Sequence, residues 1–210
     1  MILEACVENF NKVPEVIKRG AHRIELCDNL SVGGTTVSHG VAVRTIKYCK
    51  SNYVKVMAMI RPRGGDFIYS PEEIEIMQND IYHLKGLGID GVVFGCLTDS
   101  DWIDERAMSR LLDCSKGLEV VFHMAFDQIN TNYQWKAIDW LANQGVKRIL
   151  THGGPSSTPI ENNITRLKEY LEYASDRITI MPGGGITNHN LDYIKSNLEI
   201  NEVHGTKIVG

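Results

Sequence analysis

The sequence predicts a TIM-type (β/α)8 barrel, an α/β fold that forms a single domain over residues 1–210. Three observations predict it. Apolar strand segments alternate with amphipathic helical segments at a repeat of about 25 residues, close to one barrel unit. No hairpin signal such as Asn-Gly joins two strands, so parallel strands are expected. Glycine-rich loops follow several different strands, whereas the alternative, an open doubly wound sheet, concentrates its ligand loops at one switch point.

The eight predicted strands are short apolar runs, several of them bounded by glycine. They lie at residues 2–7, 22–27, around Met57, and at 91–95, 119–124, 147–151, 177–181 and 202–204. Seven predicted helices lie between them, at residues 12–19, 40–50, 70–86, 104–115, 132–145, 158–174 and 188–196.

Four of the helix starts carry residues typical of N-caps: Ser70, Asp104, Asn132 and Thr158. The two segments 70–73 and 158–161 also match the capping box, with proline in the first helical position. No helix follows the last strand, so the eighth helix is expected to be missing or replaced. An apolar barrel face left uncovered predicts either a further C-terminal segment that covers it or a subunit contact. The subunit contact implies a homo-oligomer, with a dimer favoured.

Composition excludes several classes of function. The net charge of -4 and the absence of a Lys/Arg cluster interleaved with aromatic residues argue against nucleic acid. No run of about 18 apolar residues predicts a membrane span, and the N-terminus lacks the positive region of an export signal. The five cysteines are odd in number and widely spaced, as expected for reduced thiols in the cytoplasm. The expected partner is therefore a metal ion or an anionic small molecule.

The third strand runs directly into the segment Arg61-Pro62-Arg63-Gly64-Gly65-Asp66. Alternation places Val56, Ala58 and Ile60 on one face of this strand and Met57, Met59 and Arg61 on the other. Arg61 then points inward from the strand end, where we expect it to need an anionic partner.

The first two strands share a Glu-x-Cys pattern at their ends, formed by Glu4 with Cys6 and by Glu25 with Cys27. Strand alternation places each acid and its thiol on the inner face, and the same parity adds Arg61, His123 and His204. The carboxylates are candidates for acid–base catalysis, or they form a structural ion network with Arg61. The two thiols are either small buried side chains or ligands of Cu(I) or zinc.

The fifth strand ends at His123, and Asp127 follows four residues later. This spacing predicts a general acid–base pair, and the alternative is a hydrogen-bonded histidine of the barrel interior. Candidate substrate-binding residues occupy three loops: Arg63 and Asp66, then Gly183, Gly184 and Gly185, and finally Thr206. Glycines and a hydroxyl after strands seven and eight are typical of phosphate binding in barrels, although a tight turn uses the same residues.

Six segments carry a distinctive pattern, at residues 23–27, 33–36, 59–67, 91–95, 122–127 and 181–186. In these segments the chain closely resembles the CutC family, whose name refers to copper homeostasis, and the match runs in order over nearly the whole chain. The resemblance implies a cytoplasmic TIM-type barrel that handles copper and binds Cu(I) at Cys6 and Cys27. This chain differs from the usual family pattern at Met124, where the family has arginine, and at His152, where it has serine. His152 is therefore a candidate additional ligand.

Two hypotheses follow from the residues and the resemblance together. The first is a copper homeostasis protein that binds Cu(I) between Cys6 and Cys27, which the resemblance favours. The second is a barrel enzyme acting on an anionic or phosphorylated small molecule. In that enzyme Arg61 and Arg63 hold the anion while Glu4 or Glu25 and His123 move protons.

Overall fold

The computed structural model describes residues 1–210, in which eight strands alternate with seven α-helices. The strands are β1 (Ile2–Glu8), β2 (Arg23–Cys27), β3 (Lys55–Met59), β4 (Gly91–Phe94), β5 (Glu119–Phe122), β6 (Arg148–Thr151), β7 (Thr179–Pro182) and β8 (Glu202–Gly205). The α-helices are α1 (Val13–Lys18), α2 (His39–Ser51), α3 (Pro71–Leu87), α4 (Glu105–Cys114), α5 (Gln134–Asn143), α6 (Ile164–Ala174) and α7 (Leu191–Asn197). The predicted TIM-type barrel is confirmed.

The strands pair in parallel in the order β7-β6-β5-β4-β3-β2-β1-β8. β1 pairs with both β2 and β8, which places Glu4 beside Arg23 on one side and His204 on the other. β7 lies beside β8 without a hydrogen-bonded ladder. Beyond the ends of these two strands, the Asn188 N–H donates to the Lys207 carbonyl at 2.9 Å. The barrel is therefore nearly closed.

The two faces of the strands build two separate apolar clusters. The outward face packs beneath the helices and includes Ile24, Ala58 and Ile60. The inward cluster contains Cys6, Cys27, Met57, Met59, Val93, Val121, Leu150 and Met181. This division follows from the alternation of side chains along each strand. The predicted inner and outer faces of β3 are confirmed.

Ion pairs close the end of the barrel where the strands begin. The residues of this floor network are Glu4, Arg23, Lys55, Glu119, Arg148 and Glu202. Arg23 contacts Glu4 and, at 2.6 Å, Glu202, while Arg148 contacts Glu202 at 2.5 Å and Glu119 at 2.6 Å. Both arginines are buried. Because each buried cation has carboxylates beside it, the floor network carries paired rather than isolated charge.

The helix starts follow the predicted caps in two of four cases. Ser70 and Glu73 form a complete capping box on α3, and the Asp104 carboxylate accepts from the N–H of Ala107 on α4. The capping box at Thr158 is wrong, because its hydroxyl donates to the Pro155 carbonyl at 3.0 Å. A 3-10 turn at Ile160–Asn163 therefore precedes α6. Such local hydrogen bonds compete with helix capping.

The cap predicted at Asn132 is also wrong, because α5 begins at Gln134 after Tyr133. The predicted absence of an eighth helix is confirmed, since residues 206–210 form turns and one isolated β-bridge, from Lys207 to Thr187. Arg19, at the end of α1, donates to the carbonyl of Gly210, which holds this segment against the barrel. None of the helices is both long enough and apolar enough to span a bilayer.

Candidate functional site

A cavity of about 290 Å³ lies at the end of the barrel where the strands finish. Its floor includes Cys6 and Glu25, and its walls include His123 and His204. We call it the central cavity. A larger groove of about 900 Å³ lies among α6, α7 and the strand starts, but no cysteine or histidine lines it. The candidate chemistry therefore belongs to the central cavity.

The two predicted thiols meet at the floor of the central cavity. Parallel pairing of β1 with β2 sets Cys6 beside Glu25, and the Sγ atoms of Cys6 and Cys27 lie 3.9 Å apart. Both sulfurs lie within hydrogen-bond distance of the same carboxylate oxygen, Glu25 Oε1, at 3.5 Å from Cys6 and 3.4 Å from Cys27. Both cysteines are buried. The Glu-x-Cys pattern thus brings two sulfurs and one carboxylate within ligand distance of one point.

The two thiols of this pair differ in acidity. The hydrogen bond with Cys27 lowers the pKa of Cys6 to about 5, and His204 contributes in the same direction. The same interaction with Cys6, together with burial, raises the pKa of Cys27 well above its usual range. One sulfur is therefore a thiolate near neutral pH, and the other donates a hydrogen bond to it.

Glu25 also faces a second group, formed with Glu4 and His204. His204 Nδ1 donates to Glu4 Oε1 at 2.8 Å and lies 3.9 Å from Glu25 Oε2. Burial disfavours the charged form of His204, but Glu25, Cys6 and Glu4 together raise the pKa of His204 well above its usual range. Burial raises the pKa of Glu25 to about 8, and its Oε2 atom has no hydrogen-bond partner.

His123 projects from the end of β5 into the central cavity. Its Nδ1 accepts from the Ala125 N–H at 3.2 Å, which assigns the proton of the neutral ring to Nε2. That Nε2 atom is buried and has no partner. Burial, with the charge of Arg61 adding to it, lowers the pKa of His123 to about 3. The ring is therefore a neutral hydrogen-bond donor.

The predicted pairing of His123 with Asp127 is wrong. Asp127 instead accepts from the Thr151 hydroxyl and, at 2.9 Å, from the His152 N–H. The short 3-10 turn Met124–Gln128 carries Asp127 to the end of β6, away from the histidine. His152 is also engaged, because its Nδ1 lies 2.8 Å from Asn163 Nδ2. Nothing places His152 in a ligand cluster with the thiols.

Arg61 is buried as predicted, but it has no anionic partner. Its guanidinium donates to the carbonyls of Val32 at 2.8 Å, Gly34 at 3.2 Å and Gly65 at 2.7 Å. It also stacks on the Phe67 ring, with 4.8 Å from Cζ to the centroid. Arg61 thus joins the loops after β2 and β3, and it is not in the ion network with Glu4 and Glu25 that was one alternative.

Arg63 and Asp66 do not reach the central cavity. Arg63 is bound at 3.0 Å by Asp66 and at 2.5 Å by Glu73, the capping-box residue of α3. Sequence reasoning missed this role because Glu73 is adjacent to Arg63 only in the folded chain. The ion pair of Arg63 with Glu73 therefore anchors the loop after β3 to α3. The predicted anion clamp of Arg61 and Arg63 is not formed.

The glycine loop reaches the cavity in part. Gly184, Gly185 and Thr206 line it, whereas Gly183 packs beneath, where a Cβ atom would lie 2.5 Å from Leu150 Cδ1. Gly184 has φ +80°, and a Cβ atom there would lie 2.7 Å from Met124 Cε. Any side chain at this position would therefore narrow the cavity.

Sequence reasoning missed several residues around the site. Arg23 and Arg148 were not singled out, although the parity of β2 places Arg23 on the same face as Glu25. The walls of the cavity also contain Met59 and Met124, whose thioethers add two sulfurs above the thiol pair. Strand alternation had already placed Met59 inward, which is the signal that pointed to it.

Comparison with known proteins gives consistent results. A family model described as the CutC family matches residues 1–209. A family protein CutC from Enterococcus faecalis is 54% identical over 100% of both chains. The human copper homeostasis protein cutC homolog is 41% identical, over 97% of this chain and 72% of its own length.

A solved structure gives the same answer at the level of the fold. The crystal structure described as the putative copper homeostasis protein CutC from Streptococcus agalactiae matches with a TM-score of 0.96. The two sequences are 44% identical, and the match covers 99% of each chain. Sequence and structure agree over essentially the whole length, and the chain belongs to the CutC family.

Proposed function

We propose that this protein acts in copper homeostasis by holding Cu(I) between Cys6 and Cys27. One observation carries the proposal: two buried sulfurs lie 3.9 Å apart at the floor of a cavity and share one carboxylate oxygen. Two metal–thiolate bonds of about 2.3 Å each span that separation. The copper homeostasis names of the human and streptococcal relatives support the same reading.

The donor set favours a soft ion of low coordination number. Thiolates select Cu(I) and zinc over harder cations. Structural zinc takes four ligands in tetrahedral geometry, and the sulfur cluster offers only Cys6, Cys27 and the Glu25 carboxylate. The depressed pKa of Cys6 supplies one thiolate near neutral pH, and Cu(I) binding then displaces the proton of Cys27.

The cavity also supplies a route for the ion. Cys6 lines the central cavity, and so do the thioethers of Met59 and Met124. Thioether sulfur is a weaker soft ligand than thiolate, so it binds Cu(I) without retaining it against the thiol pair. All five cysteines are free, as required for a reducing compartment such as the cytoplasm, where we propose that the protein acts.

The test is an anaerobic titration of the reduced protein with Cu(I) in competition with a chelator. The wild type is compared with Cys6→Ala/Cys27→Ala, and the matched control is Cys49→Ala/Cys96→Ala, which removes two buried thiols outside the central cavity. We expect one-to-one binding in the wild type and the control, and its loss in the Cys6/Cys27 variant. Equal affinity in all three folded proteins would remove the thiols from any copper site.

A further inference from the structure

One wall of the central cavity holds a group that copper binding does not use. His123 is 3% exposed, and its Nε2 atom is buried without a hydrogen-bond partner. Buried polar groups are nearly always paired, because an unpaired one loses its hydrogen bonds to water without replacement. The side chain lines the cavity but belongs to neither cluster of metal-ligating groups. An unpaired donor on a side chain that lines a cavity points to a ligand atom that pairs with it.

The neighbours of His123 determine what it offers to a ligand. The Ala125 N–H occupies Nδ1, so the proton of the neutral ring lies on Nε2. Phe67 packs against the ring at a centroid distance of 4.6 Å and fixes its orientation. The histidine therefore presents one N–H donor in a fixed direction, which suits an oxygen acceptor.

The charge behind this wall is positive and has no counter-charge in contact. Arg61 is 3% exposed, and its partners are three backbone carbonyls and the Phe67 ring. Its Nε atom has no partner. Phe67 is thus stacked between Arg61 and His123, and it lines the cavity itself. A buried cation without a carboxylate favours an anion nearby.

A second wall of the central cavity, formed by the loops after β7 and β8, offers backbone donors. Gly184 and Gly185 lie in the loop after β7 with φ of +80° and +115°, and Thr206 follows β8. No atom of the chain accepts from the N–H groups of these three residues. Left-handed backbone next to free N–H groups is a common way to hold an anionic oxygen. Both walls therefore present hydrogen-bond donors.

We propose that the central cavity binds a small organic oxyanion, a carboxylate or a phosphate monoester, through His123 Nε2–H. Its hydrocarbon part packs on Met59, Met124 and Leu150. At about 290 Å³ the cavity is at the lower limit of ligand pockets, which are typically about 300–1,000 Å³, so the ligand is a small metabolite. This site lies above the thiol pair and goes beyond copper binding, because no thiol takes part in it.

The test uses metal-free, reduced protein and four probes: lactate and glycerol 3-phosphate, with lactamide and glycerol as their uncharged counterparts. Binding is measured from NMR shifts of the His123 ring and from thermal shift. We expect saturable binding of one oxyanion, and no binding of its uncharged counterpart. Lactate binding identifies the carboxylate class, and glycerol 3-phosphate identifies the phosphate class. No saturation by either oxyanion at millimolar concentration, or equal binding of charged and uncharged probes, overturns the proposal.

Two variants separate the roles of the residues. His123→Phe keeps a ring and removes the donor, so it lowers oxyanion affinity by tenfold or more, whereas His123→Gln restores an N–H and recovers most of it. Cys6→Ala/Cys27→Ala does not weaken oxyanion binding, because no thiol pairs with the oxyanion. The His123 variants keep Cu(I) binding, so failure of one proposal is distinguished from failure of the other. Equal oxyanion affinity in wild type, Phe and Gln proteins assigns the binding elsewhere; if His123→Phe does not fold, the Gln variant and the uncharged probes decide.

Discussion

Buried polar groups are paired at one end of the barrel interior and partly unpaired at the other. In the floor network each buried arginine contacts two carboxylates, as Arg23 does with Glu4 and Glu202. At the central cavity, by contrast, polar atoms of Glu25, Arg61 and His123 are buried without partners. Both regions lie inside the same barrel and are built from the same strands. The difference therefore reflects what each end is for.

Pairing at the floor stabilises the fold, and unpaired groups at the cavity are a cost to the fold. A folded chain retains such groups when a ligand satisfies them. TIM barrels generally keep stability at the strand starts and chemistry at the strand ends. In the barrel interior of this protein the paired arginines lie at the strand starts, and the unpaired atoms of Glu25 and His123 lie toward the strand ends, in line with that division.

The largest expected effect comes from removing an ion pair of the floor network. Arg23→Met leaves the buried carboxylate of Glu4 without its guanidinium and is expected to lower the free energy of unfolding by about 3–5 kcal/mol. Lys55→Met is the matched control, because the Lys55 ion pair with Glu119 is largely exposed and is worth at most about 1 kcal/mol. Urea unfolding measures both. Similar small losses in the two variants would show that the floor network does not carry stability.

A smaller effect is expected from Arg61→Met, at the cavity end. It leaves loop carbonyls without their donor and is expected to cost about 1–3 kcal/mol in urea unfolding. Because the charge of Arg61 helps to lower the pKa of His123, that pKa rises in the variant. An NMR titration of the His123 ring measures the change.

Arg63→Met is the control for Arg61. Its ion pairs with Asp66 and Glu73 are partly exposed, so its loss costs about 1 kcal/mol or less. The pKa of His123 is expected to stay unchanged in this variant. Equal destabilisation by the two substitutions, with the His123 pKa unmoved in both, would contradict the distinction between a buried and a surface arginine in this loop.

The same contrast explains what the sequence could predict. Strand alternation is local, so it correctly placed Cys6, Cys27 and Met59 inside the barrel. The partner of a charged side chain depends on pairing between strands and on loops far apart in the chain. Arg61 was therefore correctly judged to be buried but wrongly given an anionic partner, since the carbonyls that hold it come from two loops.

Loop geometry also limited what could be predicted from the sequence. The four-residue spacing of His123 and Asp127 suggested a pair, but the 3-10 turn between them carries the carboxylate to Thr151. The ion partners of Arg23 could have been anticipated, because its parity matches that of Glu25. The fold and the side chains that point into the barrel could thus be predicted from the sequence. The partners of those side chains could not, because they depend on the strand register and on the conformation of the turns.

Acid titration separates the cavity end from the floor. The folded pKa of His123, about 3, lies below the ordinary value of about 6.5. Between these two pKa values, His123 binds a proton in the unfolded chain but not in the folded chain. Stability from this group is complete above pH 6.5 and falls on acidification toward pH 3, by up to about 1.4 kcal/mol per pH unit. Unfolding of wild type and His123→Gln between pH 5 and 7 measures the contribution of His123 as the difference between the two slopes, because Cys6, Glu25 and His204 contribute to both proteins.

Glu119 of the floor network provides the control for that slope. Lys55 and Arg148 outweigh the effect of burial and lower its pKa to about 2. Its contribution is complete above the ordinary carboxyl pKa and is lost as the pH falls from about 4.5 to 2. Glu119→Gln therefore alters the acid limb and leaves the slope between pH 5 and 7 intact. Equal slopes in that window for wild type and His123→Gln would mean that His123 does not contribute to it.

The smallest effect is expected at Met124, in the wall of the cavity. Met124→Leu keeps the volume and removes the thioether, so stability changes by less than about 1.5 kcal/mol. The thiol pair is untouched, so Cu(I) affinity at equilibrium stays the same. If the thioether passes Cu(I) inward to Cys6, stopped-flow transfer from a Cu(I) chelator slows in this variant. Met108→Leu, buried in α4 outside the cavity, leaves the rate unchanged. Equal transfer rates in all three proteins would show that Met124 does not pass Cu(I) to Cys6 and only lines the cavity.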